Sequence, residues 1–352
     1  MALRLDELET PVLTADLDAV ERNIAAMQGY CDEHGLVLRP HIKTHKLPEV
    51  ARMQVDAGAR GLTCQKLGEA EVMADAGFDD ILISFPLVGE AKAERLAALA
   101  RRVDMGVVGD SAVVATGLAE VLARHGLEVD FLVECDTGFG RTGVQSPGEA
   151  AELAALVERL EGLRLAGLMT YPSLPETGPW LRSAREAIER AGLAVECVSV
   201  GGTPTARRTH EVDGATELRV GTYVYGDRAC IANGSVALED CALRVVATVV
   251  SRPTRERAII DAGSKTLTSD PAIGATGFGL LVEHPDAAVY NLNEEHGYVD
   301  VSACERPPEV GERVTIVPNH ACATANMHDE VCVHRGGEIV GKLATAARGK
   351  VT

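Results

Sequence analysis

The sequence predicts an α/β chain: a (β/α)8 TIM barrel over about residues 12–235, followed by a C-terminal antiparallel β domain over 236–352 that also takes residues 1–11. Three observations predict it. Short β-branched or Leu-rich runs alternate with Ala/Leu/Glu stretches of helical period up to about residue 225, the mark of repeated βα units. The strand runs number eight, which is the number that closes a parallel barrel. Beyond about residue 238 the period changes to apolar and polar alternation between turn signals.

In chain order the expected strands are Val37–Pro40, Gly61–Cys64, Ile81–Ser84, Met105–Val108, Phe131–Glu134, Leu165–Thr170, Val195–Val200 and Glu217–Val220. The expected helices are Ala19–His34, Pro48–Ala57, Leu67–Ala76, Glu90–Arg102, Ala112–His125, Gly148–Leu160 and Pro179–Ala191. The C-terminal part carries CALRVVATVVSR, RAIIDAG, AAVYNLNEEHGYVDVSA, RVTIVPNHA and EVCVHRGGEIV, a set of strands joined by turns. An open doubly wound sheet would present a GxGxxG turn between its first strand and helix. The glycine clusters here fall late in the repeat instead.

Composition narrows the function. A balance of 34 basic against 52 acidic residues leaves a formal charge of −18, which repels nucleic acid and anionic lipid. The expected partner is a small molecule, with no nucleic acid and no membrane. Nine scattered cysteines without a CxxC pair, and an acidic start reading MALRLDE, point to a reducing cytoplasm.

Barrel proteins carry their chemistry on the loops that follow the strands. After the first strand, Leu38–Lys46 presents Lys43 and Lys46 with His41 and His45. Cationic neighbours lower the pKa of a lysine amine and make it a nucleophile toward aldehydes; a solvated basic loop is the plain alternative. After strands seven and eight come Gly201-Gly202-Thr203-Pro204-Thr205 and Gly221-Thr222-Tyr223. Glycines admit close backbone approach and threonines add donors, as a phosphate ester requires; two ordinary turns would read the same. After strand five, Glu134–Gly143 holds Arg141 in a glycine-rich loop, either as a fork for an anion or as a partner of Asp136 or Glu134. In the β domain His320 and Cys322 stand two apart, so on an extended strand both face one way and could share a metal ion; buried core is the alternative.

With PHIKTHK at Lys43, CQKLGEAE from Cys64, ECDTGFGRTGV from Glu134, GGTPT from Gly201, ELRVGTYVYGD from Glu217, DAGSKTLTSD from Asp261, NEEHG from Asn293 and PNHAC ending at Cys322, the chain resembles a known group nearly end to end. That group is the D-threonine aldolases and eukaryotic-type D-serine dehydratases, pyridoxal-phosphate (PLP) enzymes of the alanine-racemase fold type. The resemblance implies that Lys43 carries PLP, with Gln65, Arg141, Tyr171, Gly201, Gly202, Thr203, Gly221, Thr222 and Tyr223 around the cofactor. It also implies a divalent metal, Zn or Mn, on His320 and Cys322, a D-β-hydroxy-α-amino acid as substrate, and a homodimer.

Two departures from the aldolases of the group matter. They carry His-x-Asp where this chain has His320-x-Cys322, the form of the dehydratases. They also carry Tyr-His where this chain has Tyr171-Pro172, which removes an imidazole that would take the hydroxyl proton. The expected reaction is cleavage to glycine and an aldehyde, with dehydration to a 2-oxo acid and ammonia as the alternative. An amino-acid racemase and a non-catalytic PLP carrier stand further off, because neither needs a metal pair.

Overall fold

The computed structural model describes residues 4–352. They form two compact units. The barrel unit comprises Met27–Lys43, Ala51–Gly221 and Lys350–Thr352; the β unit takes the described residues up to Ala26 with Thr44–Val50 and Thr222–Gly349.

Chain order begins with β1 (Val12–Asp16) and α1 (Leu17–Glu33). The barrel repeat follows as β2 (Val37–Leu38), α2 (Pro48–Asp56), β3 (Leu62–Cys64), α3 (Leu67–Asp75), β4 (Asp80–Ile83), α4 (Glu90–Ala100) and β5 (Asp104–Gly109). It continues through α5 (Ala112–Arg124), β6 (Val129–Cys135), α6 (Pro147–Val157), β7 (Leu163–Thr170), α7 (Gly178–Arg190), β8 (Cys197–Gly201) and β9 (Glu217–Arg219). The eight strands β2–β9 pair in parallel in the order β2-β9-β8-β7-β6-β5-β4-β3. A bridge from His41 to Thr63 joins the two ends of that order.

Alternation along each strand decides which residue faces the helices. Ile81, Val107 and Phe131 belong to the large cluster packed under the helices, while their neighbours Leu82, Val108 and Leu132 form a second cluster with Ala166 and Met169. On β7 the phase slips, because the register with β6 shifts between Phe131 and Leu132, opposite Leu165 and Gly167. Gly167 is required there: at φ +153° its backbone lies so close to β8 that a Cβ would stand 1.9 Å from the Cys197 carbonyl oxygen.

A buried polar chain runs through β2, β8 and β9. Arg39 Nε donates to Glu217 Oε2 at 2.8 Å and its Nη1 to Asp80 at 2.5 Å. Ser199 donates to Glu217 Oε1 at 2.6 Å and accepts from Arg219 Nε at 2.7 Å.

The start of α6 carries a side-chain cap. Ser146 accepts from the Glu149 N–H at 3.2 Å ahead of Pro147, the first residue of α6. Ser146→Ala is expected to cost about 1 kcal/mol and roughly 2 °C of thermal midpoint, read by calorimetry, in a chain of this size. An unchanged midpoint would mean that the cap contributes nothing.

After β9 come α8 (Arg228–Ala232), β10 (Leu243–Ser251), β11 (Arg257–Ile260), α9 (Ser264–Leu267), β12 (Leu280–Leu281), β13 (Ala288–Leu292) and β14 (Gly297–Asp300). The chain closes with β15 (Arg313–Val317), α10 (Ala321–Met327), β16 (Glu330–Arg335) and β17 (Glu338–Ala344). The β unit is a nine-stranded sheet, antiparallel except where β1 lies parallel to β16.

The expected barrel span of 12–235 differs from the structure at both ends. Val12–Asp16 pairs with β10 and β16 in the β unit's sheet, and the β unit resumes at Thr222. An alternating five-residue run fits either sheet, and its partners lie far along the chain.

Candidate active site

Within the barrel unit, Lys43 sits in a single 3₁₀ turn, Ile42–Thr44, beyond β2. The backbone is fixed by the His41 N–H donating to the Val220 carbonyl at 2.8 Å, so this turn lies beside the end of β9. Lys43 Nζ donates to Gln65 Oε1 at 3.2 Å, and that oxygen also lies 3.0 Å from His41 Nε2. Gln65 cannot turn away, since its amide donates to the Ser84 carbonyl at 3.1 Å. Within the β unit, Lys46 Nζ donates to Asn326 at 2.7 Å. His45 there accepts from the Leu47 N–H at 3.1 Å.

Gly201 ends β8 opposite Arg219 on β9, and Gly202 follows it. A Cβ on Gly201 would meet the Arg219 carbonyl at 2.5 Å, and Gly202 is left-handed at φ +127°. The Gly202 N–H already donates to that carbonyl at 3.2 Å, so what Gly202 offers a phosphate is close approach. A 3₁₀ helix, Thr203–Glu211, starts immediately after it, and a second, Thr222–Val224, follows Gly221. Tyr171 stands next to this turn, 3.6 Å from where a Gly202 Cβ would lie. Arg141 lies over the Tyr171 ring at 4.9 Å. Of the two carboxylates in the scaffold alternative for Arg141, Asp136 accepts from the N–H groups of Gly138, Phe139 and Gly140, while Glu134 Oε1 accepts from Thr142 at 2.6 Å and its carboxylate feels the Arg141 charge.

Two buried residues at this end of the barrel lie within the quoted motifs but receive no place among the expected site residues. Arg219 is 5% exposed and donates to Ser199 and, at 2.7 Å, to the Thr170 carbonyl; burial lowers its pKa. Glu134 is 3% exposed, its Oε2 has no hydrogen-bond partner, and burial raises its pKa. The signal that finds both is a charged residue at the end of a strand whose neighbours are apolar.

Within the β unit, His320 and Cys322 are not on a strand. His320 is the extended N-cap of α10 and Cys322 lies in its first turn, so the two meet at a helix start and not through strand alternation. A single carboxylate builds that start: Asp227 accepts from the Ala321 N–H at 3.1 Å and from the Cys230 N–H of α8 at 2.9 Å. Cys322 Sγ lies 3.2 Å from Thr44 Oγ1 and 3.7 Å from Thr222 Oγ1. The hydrogen bond with Cys322, helped by Asp270 and opposed by burial, pushes the His320 imidazole up to about 9. Among the described residues no group of three or more His, Cys, Asp or Glu is arranged to hold a metal ion. His320 and Cys322 therefore offer an imidazole and a sulfur, a pair that suits zinc and leaves further positions open.

A barrel with a lysine beyond its first strand, followed by an antiparallel unit with a His–Cys pair, defines a two-unit barrel protein. The chain belongs to the alanine racemase family: residues 15–229 match the model of the alanine racemase N-terminal domain. Residues 242–334 match a putative serine dehydratase domain. It is 36% identical to the D-threonine aldolase of an Arthrobacter species over 98% of this chain and 94% of that protein. It is 35% identical to the D-threo-3-hydroxyaspartate dehydratase of Delftia sp. (strain HT23), over 90% of this chain and 92% of that one. The crystal structure of D-threonine aldolase from Filomicrobium marinum superposes with a TM-score of 0.92 at 34% identity, covering 100% of this chain and 99% of that chain. A cysteine-to-alanine variant of D-threo-3-hydroxyaspartate dehydratase in the metal-free form gives 0.88 at 31% identity, over 97% and 99% of the two chains.

Proposed function

We propose that the protein is a PLP- and divalent-metal-dependent lyase that cleaves D-β-hydroxy-α-amino acids to glycine and an aldehyde. The observation that carries the reading is Lys43 at the end of the first barrel strand, its amine held by the fixed Gln65 oxygen at 3.2 Å. The full-length similarity to named aldolases and a dehydratase supports it.

When bound, PLP supplies an aldehyde for amino groups and an electron sink for the carbon that carries them, and a divalent metal supplies a Lewis acid for the hydroxyl. The rest falls to the chain. Lys43 would hold the cofactor, and its amine, once released, can accept or return a proton at Cα. Gly201, Gly202, Thr203, Gly221, Thr222 and Tyr223 would hold the phosphate through close backbone approach and hydroxyl donors. Tyr171 and Arg141 would flank the ring end, Arg141 offering its charge to an anionic oxygen. His320 and Cys322 would hold the metal; that a cysteine is the substituted residue in the dehydratase's metal-free variant supports this donor set. The proposal extends to a homodimer, on the resemblance to the fold type, and to a reducing cytoplasm, supported by the nine cysteines, all of them free. No helix of the described residues is long and apolar enough to cross a membrane.

A second reading, dehydration to a 2-oxo acid and ammonia, is favoured by Cys322 at the metal pair and by Pro172 beside Tyr171. Incubation with D-threonine and with D-serine separates the two. Glycine and acetaldehyde are expected from D-threonine faster than ammonia, and Pro172→His is expected to raise that rate. Ammonia and 2-oxo acid alone from every D-β-hydroxy substrate would install the dehydratase; no turnover of either would leave the PLP carrier.

A further inference from the structure

We propose that Asp270 is a positioning residue for the metal pair: it holds the Nδ1 side of His320 and leaves Nε2 as the nitrogen that can take a metal ion. This rests on the metal reading above. Asp270 Oδ2 lies 2.7 Å from His320 Nδ1. A histidine ligand whose second nitrogen donates to a carboxylate is fixed in tautomer and in ring orientation, and it is a stronger donor for that reason.

The pair is not held by its own attraction. His320 and Asp270 side chains are 44% and 47% exposed, and an ion pair so open to water contributes little. The surrounding chain fixes the carboxylate instead. Asn319, the residue before His320, is 2% exposed, and its amide donates both to the Asp270 carbonyl at 3.0 Å and to the Gly277 carbonyl at 2.7 Å. Arg228 Nη1 donates to Asn319 Oδ1 at 3.3 Å and to the Thr276 carbonyl at 2.7 Å. Residues 270–277 are thus fastened at both ends to the residue adjoining the imidazole. Two residues before Asp270, Thr268 adopts φ +68°, a left-handed conformation that a β-branched residue takes at a cost. Its hydroxyl accepts from the Asp270 N–H at 3.2 Å. Strain and a buried double fork, both spent on placing one half-exposed carboxylate, are accounted for by the orientation that carboxylate imposes on His320.

With His320 and Cys322 joined by no third donor among the described residues, orientation matters more than in a closed four-ligand site. The test uses the full-length PLP-loaded protein and Co²⁺ as probe, following the sulfur-to-cobalt charge-transfer absorbance. The wild-type chain is expected to give a band that Cys322→Ser abolishes. Asp270→Asn is expected to weaken Co²⁺ binding 10- to 100-fold while bound PLP and the thermal midpoint stay unchanged. Asp270→Glu, which keeps the carboxylate, is expected to recover most of the loss. Should Asp270→Asn fold poorly, Asn319→Ser loosens the same loop with Asp270 intact and is expected to weaken Co²⁺ binding in the same direction. Co²⁺ affinity within twofold of wild type in a folded Asp270→Asn protein overturns the inference alone. A wild-type chain with no sulfur-dependent band overturns the metal reading, and the inference with it.

Discussion

Lys43→Ala is expected to abolish covalent attachment of PLP and to lower turnover by ~10³-fold or more, about 4 kcal/mol of transition-state stabilisation. The size follows from the two tasks proposed for the amine, holding the cofactor and exchanging a proton at Cα, neither of which a methyl group performs. Borohydride reduction of the wild-type protein, digestion and mass spectrometry should place the pyridoxyl group on the Lys43 peptide. The rival lysines are visible in the structure. Lys66, next to Gln65, has its Nζ 3.4 Å from the centre of the Phe85 ring, and burial lowers its pKa. Lys265 is paired with Glu295 at 2.7 Å on the surface. A reducible adduct that persists on Lys66 in the Lys43→Ala protein would transfer the role to that residue.

Removal of the metal, by chelation or by His320→Ala, is expected to lower turnover at least 100-fold while the PLP adduct remains on Lys43. Without a Lewis acid the substrate hydroxyl keeps its ordinary reluctance to lose a proton or to leave, a deficit of several kcal/mol. Retention of the adduct is expected because the residues proposed to hold it, Lys43 with its Gln65 partner at 3.2 Å, belong to the barrel unit, whereas His320 and Cys322 belong to the β unit. Re-addition of Zn²⁺ or Mn²⁺ should restore turnover to the chelated protein and not to His320→Ala. Full turnover in protein shown to be metal-free by elemental analysis would remove the metal from the reaction.

The barrel was legible because its signal is local. Each strand run and each helix run lies within a residue or three of its observed bounds, since alternation of Ile81, Leu82 and Ile83 or of Phe131, Leu132 and Val133 is written in adjacent residues. The bulge at Gly167 was not legible, because it is a relation between β6 and β7. Lys43 and Gln65 could be picked out from strand ends and motif. Arg219, Glu134 and Asp270 fall inside the quoted motifs, but no role could be read for them there, since what distinguishes them is burial and contacts made across the fold. The His320–Cys322 pair was found for a partly wrong reason. The run RVTIV before it reads as a strand and is one, yet Pro318 ends it and the small residues after His320 form α10. Spacing two apart brings side chains together on a strand; here the N-cap and first turn of a helix do it.

The strand β1 has a further consequence, for the order in which the molecule can be assembled. Its hydrogen-bonding partners are β10, through Val12 opposite Val246, and β16, through Thr14 opposite Cys332. During synthesis Val12–Asp16 leaves the ribosome early and then waits for residue 243 before either edge can be satisfied. At ribosomal speeds that delay is roughly ten seconds or more. The eight-stranded barrel, whose strands all precede residue 220, can close in that interval, because most of its neighbours are consecutive repeats of short contact order. The β unit cannot, and until it forms, β1 remains an unpaired edge able to join a strand of another nascent chain.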